Sequence, residues 1–491
     1  MSPGRVLGFL VAVLLVLALV GQLLPSDGLR IGGLELGFPS VREALFAEEQ
    51  AEVDISDILA VEADSAAVDT IAVDEALVDT AAKPFVFDAS KLAPLEDRIR
   101  LHFPEQGQSV LHPFFASLES ASSRSRPIRI LHYGDSQLEG DRITAYVRNK
   151  LQTQFGGNGP GLVSVADIVP HFSVARELSD GWERYSVMNK KPKAQGHDRF
   201  GALSSFSRFT PILPDTVPPD TVERTATITL RPERKCFGKA QVWSACRLFY
   251  GWHRAPLSLS LSIDGVDAGT ELVEPSPQLL VRDWRFETTP KEVVITMKGT
   301  DSPDVFGISL EGRNGVAMDN IPARGAAGYE FRRSDQALLA RMYAELDVKL
   351  LILQYGGNVL PNLTSKEEAE QYGRFFGAQI ARFKRMLPEA GIIVIGPSDM
   401  SIKEGEDYVT RPYLEDVRDA MKASTLAQGA VFWDMYDAMG GRNSMVSWVK
   451  ADPPLAAEDY THFSPQGARK VGELFYTALI NEFAAYHQAR Q

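Results

Sequence analysis

The chain has 491 residues, of which 44% are hydrophobic, and this length is sufficient for two or three domains with cores of their own. Its formal net charge of −13 argues against nucleic acid and anionic lipid as main partners, because both are themselves negatively charged. The protein is therefore expected to have no nucleic-acid partner.

A nearly uninterrupted apolar stretch, residues 6–24, follows Arg5 at the N-terminus. About 20 such residues span a bilayer. No small-residue cleavage site closes the stretch, so residues 1–25 are predicted to be an uncleaved transmembrane signal anchor rather than a secretory signal that is removed. Because positive charge tends to remain in the cytoplasm, Arg5 predicts that the rest of the chain lies outside it, periplasmic or extracytoplasmic, and anchored to the inner (cell) membrane.

Residues 26–90 are predicted to form an acidic flexible linker. No lysine or arginine lies between Arg42 and Lys83, and aspartate recurs there among small apolar residues. Like charges at this spacing keep a segment solvated, so the linker would hold the remaining chain away from the membrane. An acidic docking segment for a partner is the alternative.

The first block with chemical content is Gly134-Asp135-Ser136, which follows the apolar run 128–133 and precedes the helical pattern 144–148. This order predicts a strand, a tight turn and a helix, with Ser136 at the carboxyl end of the strand. Serine in that position is a candidate nucleophile if a base and an orienting acid are found elsewhere in the chain. An ordinary turn is the alternative.

Residues 166–315 change to a β pattern and are predicted to form an inserted all-β sandwich domain. Apolar and polar residues alternate with period two, Asp264-Gly265 marks a tight turn, and no helix-length amphipathic pattern intervenes. The predicted strands include 226–230, 240–243, 257–263, 284–287 and 293–297.

The cysteines and aromatic residues of this region each allow two interpretations. The only cysteines of the chain, Cys236 and Cys246, could form a disulfide outside the cytoplasm or remain two buried thiols. Core packing is favoured over stacking on sugar rings for each of four aromatic residues, which are Trp182, Trp243, Tyr250 and Trp252.

Buried strands alternate with helices in residues 316–491. Continuous apolar runs at 350–354, 391–396 and 430–433 are separated by helical spacing at 366–387 and 411–427. This pattern is typical of a parallel sheet in a three-layer α/β/α fold, in which the site lies above the carboxyl ends of the strands. Pro397-Ser398-Asp399-Met400, which follows one of these strands, either lines an acyl pocket or is only a turn.

Groups that could support Ser136 lie on three loops. Asp459 precedes His462 by three residues, so its carboxylate can hold the imidazole in the tautomer that accepts a proton from serine. The loop after 350–354 can present the Asn358 amide to an oxyanion. Gly325 could offer a backbone N–H with no side chain in the way, with Gly328 as a near competitor.

In chain order, Gly-Asp-Ser, a glycine, Gly-x-Asn and Asp-x-x-His resemble the four blocks of the SGNH hydrolase (GDSL esterase) superfamily. The resemblance covers residues 91–165 and 316–491, the predicted first and second parts of an SGNH hydrolase domain. It implies that Ser136 is the nucleophile and that Asp459 and His462 form the supporting dyad. The oxyanion donors that it implies are the Ser136 N–H, the Gly325 N–H and the Asn358 side chain.

Two departures from the family pattern bear on the substrate. Gln137 stands where the GDSL lipases carry leucine, and Val359 follows Asn358 where many members have an acid. A lipase substrate is therefore not implied. By its position and β content, the insertion resembles the carbohydrate-binding-like domain of the peptidoglycan O-acetylesterases.

The sequence leaves three functions open. The first is a serine esterase that removes O-acetyl groups from an envelope carbohydrate, above all peptidoglycan, through an acyl-serine intermediate. The second is an envelope polysaccharide O-acetyltransferase that uses the same serine. The third is a non-catalytic, membrane-tethered glycan-binding protein. The acyl-transfer scheme requires no metal and no cofactor.

Overall fold

The computed structural model describes residues 4–9, 12–13, 16, 29–31, 34–36, 53–56, 58, 87–191 and 195–491. Two compact units are present, Met1–Val53 and Asp54–Gln491. In the first unit, residues 4–9 are helical, and strands Leu29–Ile31 (β1) and Leu34–Leu36 (β2) pair antiparallel. None of the described helices is long and apolar enough to cross a membrane. Most of the predicted anchor and of the linker 26–90 lies outside the described residues.

The strands of the second unit follow in chain order: Leu101–His102 (β3), Ile128–Gly134 (β4), Gly161–Val163 (β5), Val174–Leu178 (β6), Glu183–Ser186 (β7), Ser205–Arg208 (β8), Arg224–Pro232 (β9), Ala245–His253 (β10), Leu257–Ile263 (β11), Val266–Val273 (β12), Ser276–Arg285 (β13), Val293–Gly299 (β14), Asp304–Glu311 (β15), Val316–Pro322 (β16), Val348–Gln354 (β17), Gly391–Ile395 (β18), Ser401–Glu404 (β19), Asp407–Thr410 (β20) and Val431–Trp433 (β21).

Its α-helices are His112–Glu119 (α1), Thr144–Phe155 (α2), Gly238–Gln241 (α3), Gln336–Leu346 (α4), Lys366–Met386 (α5), Leu414–Ala427 (α6), Met435–Ala438 (α7), Ser444–Lys450 (α8) and Pro465–Gln488 (α9).

The central sheet has the strand order β16-β4-β17-β18-β21-β3 and is parallel except for the short edge strand β3. Ile130 of β4 lies opposite Met318 of β16 on one side and Leu350 of β17 on the other. Every side chain of β4 from Ile128 to Tyr133 is at most 1% exposed, because layers cover both faces of the sheet. The predicted parallel sheet is confirmed.

Helices lie on both faces of this sheet. On one face, Leu131 and Leu353 share a core cluster with residues of α4, α5 and α6. On the other face, the ring of Phe483 of α9 packs edge-on against Phe115 of α1 and Phe155 of α2, with centroid distances of 5.7 and 4.9 Å. The predicted three-layer α/β/α arrangement is therefore present, and parallel strands bring their carboxyl ends to one edge.

Two antiparallel sheets lie between β4 and β16 in chain order. One has the order β12-β11-β14-β9-β6, and the other has the order β13-β10-β15-β8-β7 with β5 paired to β15. Side chains from both sheets form one core, which includes Ile228, Leu248, Leu259 and Ile295. In β11, buried leucines alternate with half-buried serines, as the period-two pattern predicts.

The sheet that contains β10 and β15 is buried on both faces. Phe249 and Phe306 point away from the sandwich core and join the cluster that contains Met342 of the α/β part. The buried guanidinium of Arg129 on β4 pairs with Asp319 on β16 and with Glu311 on β15. Apolar packing and buried ion pairs therefore connect the two parts, and separability of 166–315 as a domain stays a prediction. Antiparallel pairing within these sheets already begins at β5, which precedes the predicted start of the insertion at residue 166.

The structure bears on the predictions made for one strand, two aromatic residues and the two cysteines of the antiparallel region. The predicted strand 240–243 is wrong, since its first residues belong to the short helix α3. Trp243 and Tyr250 are only 1% and 4% exposed, so the core interpretation holds for both. Cys236 and Cys246 are buried free thiols, and no disulfide joins them.

Candidate active site

Ser136 lies two residues beyond the carboxyl end of β4, at the start of a 3₁₀ segment, Ser136–Asp141, that is kinked at Glu139 and Gly140. Asp135 caps this turn by accepting a hydrogen bond from the Gln137 N–H at 3.0 Å. A Cβ at Gly134 would lie 2.7 Å from Leu138 and 3.0 Å from the Gln354 carbonyl oxygen, so only glycine permits so tight an exit from the sheet. The turn leaves Ser136 half-buried.

His462 lies within hydrogen-bond distance of this serine. Its Nε2 is 2.9 Å from Ser136 Oγ, and its Nδ1 is 2.7 Å from Asp459 Oδ2. Asp459 Oδ1 accepts the backbone N–H groups of Thr461 and His462 at 3.0 and 2.9 Å, which fixes the carboxylate against the imidazole. The structure thus brings together the three residues predicted as nucleophile, base and orienting acid.

The two remaining predicted site residues also lie close to Ser136. Asn358 stands in the turn after β17, and its Nδ2 is 3.2 Å from Asp135 Oδ2 and 3.1 Å from the Ala326 carbonyl oxygen. Gly325 follows β16, has φ +78°, and has open space where a side chain would be. Its competitor Gly328 is buried against aromatic rings instead, so Gly325 is the glycine that faces the site.

All five predicted residues line one cavity of about 610 Å³. Pro397, Ser398 and Met400 line it as well, so that segment forms part of the wall rather than only a turn. Asp399 of the same segment is buried and accepts hydrogen bonds from Thr410 Oγ1 and the Met445 N–H, both at 2.8 Å. Its role is to hold the wall in place.

Two carboxylates set the electrostatics around His462. Burial raises the pKa of Asp135 to about 6, although the hydrogen bond from the Gln137 N–H and the nearby His462 act in the opposite direction. Partial burial would also raise the pKa of Asp459, but its hydrogen bonds from His462 and Thr461 outweigh this effect and lower it. The lowered pKa keeps Asp459 ionised near neutral pH, so its negative charge can stabilise the imidazolium that forms when His462 accepts the serine proton.

Two residues that no sequence motif identifies position the catalytic groups. The Gln137 side chain donates from Nε2 to the Thr461 carbonyl oxygen at 2.7 Å and accepts the Phe463 N–H at 3.3 Å. Arg142 donates to the carbonyl oxygens of Phe463 and Ser136 at 2.9 and 3.3 Å. Both side chains therefore connect the turn that bears Ser136 with the loop that bears His462.

We expect Gln137→Leu to lower kcat for a small acetyl ester roughly ten- to a hundredfold, because displacement of a base by about 1 Å has effects of that order. Leucine keeps a similar volume but leaves the backbone on both sides of His462 without its partners. Gln137→Glu keeps an acceptor for the Phe463 N–H and should fall between wild type and Gln137→Leu. Steady-state kinetics with a thermal unfolding control measure this effect. An unchanged kcat in folded Gln137→Leu would contradict it.

Residues 296–470 match the GDSL-like Lipase/Acylhydrolase family. The matched range contains Gly325, Asn358, Asp459 and His462 but not Ser136, which the fold brings to them because β4 pairs with both β16 and β17. A search of curated proteins finds no matching sequence.

One of two similar solved structures shows the same fold. A peptidoglycan O-acetylesterase is 21% identical with a TM-score of 0.58, over 76% of this chain and 96% of that chain. A family two carbohydrate esterase from Clostridium thermocellum, solved with cellohexaose, is 8% identical with a TM-score of 0.26, over 59% of this chain and 98% of that chain. Only the first of these similarities is high enough to show a shared fold, which is the three-layer α/β/α arrangement described above with its antiparallel sheets.

Proposed function

We propose that the chain is a serine hydrolase of the SGNH type that removes O-acetyl groups from an envelope carbohydrate, with peptidoglycan as the first candidate. One observation carries the proposal. Ser136 Oγ, His462 and Asp459 form a continuous hydrogen-bonded series of 2.9 and 2.7 Å in the wall of a cavity that also contains Gly325 and Asn358. A serine activated in this way attacks esters.

The proposed reaction has two halves. Ser136 Oγ attacks the ester carbonyl carbon while His462 Nε2 takes its proton, and the resulting oxyanion accepts hydrogen bonds from the Gly325 N–H, the Ser136 N–H and Asn358 Nδ2. His462 then gives the proton to the sugar oxygen, which leaves as a hydroxyl. Water attacks the acetyl-Ser136 ester with His462 again as base, and this step releases acetate and restores the serine.

The contacts of Asn358 show how its amide is oriented before an ester arrives. Its Nδ2 is held between Asp135 Oδ2 and the Ala326 carbonyl oxygen. The longer contact, 3.2 Å to Asp135, is the one that we expect to be shared with the oxyanion. Preorganised donors of this kind stabilise the transition state without reorganisation at the moment of reaction.

We expect Asn358→Ala to lower kcat on the order of a hundredfold or more, about 3 kcal/mol, with a smaller change in KM. Asn362→Ala is the matched control, since Asn362 ends the same turn but does not line the cavity. Initial rates of p-nitrophenyl acetate hydrolysis measure both variants. An equal fall in kcat in both variants would show that the conformation of the turn, rather than the Asn358 amide, supports catalysis.

Acetate release tests the substrate assignment. The full chain is incubated with O-acetylated peptidoglycan, acetylated xylan and acetylated alginate, and Ser136→Ala is run in parallel. We expect release from peptidoglycan that Ser136→Ala abolishes. Hydrolysis of p-nitrophenyl acetate without release from any polymer would contradict the carbohydrate assignment but leave the esterase assignment intact.

We also propose that the esterase acts outside the cytoplasm, anchored by residues 1–25. Arg5 ahead of the apolar stretch 6–24 supports this proposal. Protease added to intact spheroplasts should degrade the chain, and full protection until lysis would contradict the placement.

A further inference from the structure

A second cavity, of about 320 Å³, adjoins the catalytic one. The two share Glu139 and Arg324 as lining residues. These side chains form a two-pronged ion pair, with Arg324 Nε 2.7 Å from Glu139 Oε1 and Nη2 2.6 Å from Oε2. Arg324 directly precedes Gly325, so the second cavity begins beside the proposed oxyanion donor.

Residues of the α/β part and of the antiparallel sheets both line this second cavity. Ile168, Met188 and Leu203 give it an apolar surface, and Ser186 and Ser205 add hydroxyl groups. Polar and apolar groups line this cavity in similar measure, and the polar groups could fix the orientation of a small ligand. Its size and position suit one residue of a polymer whose neighbouring unit lies in the catalytic cavity.

One positive charge in this cavity forms no ion pair within the described part of the chain. Arg184 of β7 lines it, its Nε is buried without a hydrogen-bond partner, and no carboxylate of the described residues lies within ion-pair distance. Burial lowers its pKa, and Asp167 is the acid whose charge acts against that shift. The Asp167 carboxylate is itself occupied by Arg176 at 2.6 Å and by the Ser164 hydroxyl.

The other charged groups of the cavity neutralise one another. Glu139 is paired with Arg324, and Asp167 is paired with Arg176. Burial lowers the pKa of His171, which leaves its imidazole uncharged near neutral pH. Arg184 is half-buried, so its guanidinium keeps free donors beside the cavity, and a ligand carboxylate would accept from them in a two-pronged contact.

We propose that the second cavity is a carboxylate-binding subsite of the esterase, with Arg184 as the residue that binds the carboxylate of an acidic glycan. The proposal rests on the proposed function and narrows its substrate class. Neutral acetylated glycans would leave the guanidinium unpaired, whereas a carboxylate on a sugar ring or on an attached peptide would pair with it. The subsite would place the ester of a neighbouring sugar at Ser136.

Arg184→Gln in the full chain tests this subsite. KM is measured for acetylated alginate, O-acetylated peptidoglycan and neutral acetylated xylo-oligosaccharides, and p-nitrophenyl acetate hydrolysis and thermal unfolding are recorded alongside. We expect KM for at least one carboxylate-bearing polymer to rise at least tenfold more than KM for the neutral oligosaccharides. Arg234→Gln, which removes an exposed arginine outside both cavities, should change none of these values.

The substrates separate the two sources of the carboxylate. A selective rise in KM for alginate would show that Arg184 binds a carboxylate on the sugar ring. A selective rise in KM for peptidoglycan would show that it binds a carboxylate of the lactyl or peptide part. Arg184→Lys, which keeps the charge without the fork, should fall between wild type and Arg184→Gln and covers the case in which the glutamine variant is unstable. Equal KM changes on acidic and neutral glycans would overturn the subsite alone. A wild-type chain active on p-nitrophenyl acetate but on no glycan would overturn the proposed substrate class as well.

Discussion

Ser136→Ala is expected to lower kcat/KM for p-nitrophenyl acetate by about 10⁴-fold or more, because the residue that would carry the acyl group is lost. Ser136 Oγ is 2.9 Å from His462 Nε2, so the variant also removes the proton that the base would take. The folded state should persist, since the side chain is small and only half-buried. Residual catalysis would come from the oxyanion donors and substrate binding.

Ser334→Ala is the matched control for this prediction. Its hydroxyl is buried, has no hydrogen-bond partner in the described part of the chain and lies outside the cavity, so its removal should leave activity and folding near wild type. Initial rates over a range of ester concentrations, with circular dichroism for folding, measure both variants. A folded Ser136→Ala within tenfold of wild type would defeat the proposed mechanism.

Asp459→Asn is expected to lower kcat roughly a thousandfold or more. Asparagine can still accept the N–H groups of Thr461 and His462, so the loop should keep its shape. Its amide would face His462 Nδ1 with a donor, which favours the tautomer whose Nε2 carries hydrogen and cannot accept a proton from Ser136.

Glu458→Gln is the matched control, because it removes one negative charge from an exposed residue next to Asp459. It separates the orientation of His462 by Asp459 from the general effect of a negative charge nearby. The expected result is near wild-type activity for Glu458→Gln and a large kcat loss for Asp459→Asn, measured from pH 6 to 9. Comparable losses in the two variants would indicate that net negative charge, and not the contact with Nδ1, supports His462.

The sequence could predict Ser136, Asp459 and His462 because each stands in a short local pattern. A β run, a tight turn and a helix place Ser136 at the end of β4 whatever surrounds it, and Asp459 reaches His462 within four residues. Strand order in a parallel sheet then brings separate loops to one edge. The local patterns do not contain the distances between these loops, which only the folded sheet supplies.

Contacts between segments that are far apart in the chain could not be predicted from the sequence. Gln137 binds the backbone of Thr461 and Phe463, more than 300 positions away, and no local pattern indicates such a partner. The strand β10 was missed because Leu248 and Phe249 are buried on opposite faces, so the period-two alternation disappears. No local pattern indicates that Arg184 could bind a ligand, because the cavity that it lines forms only in the folded protein.

The most direct test of the central claim is covalent labelling with a fluorophosphonate followed by peptide mass spectrometry. We expect one adduct, on the peptide containing Ser136, that appears in step with loss of esterase activity and forms far more slowly in Asp459→Asn. Full loss of activity with the adduct on another serine, or undiminished activity after Ser136 is modified, would contradict the assignment of Ser136 as the nucleophile.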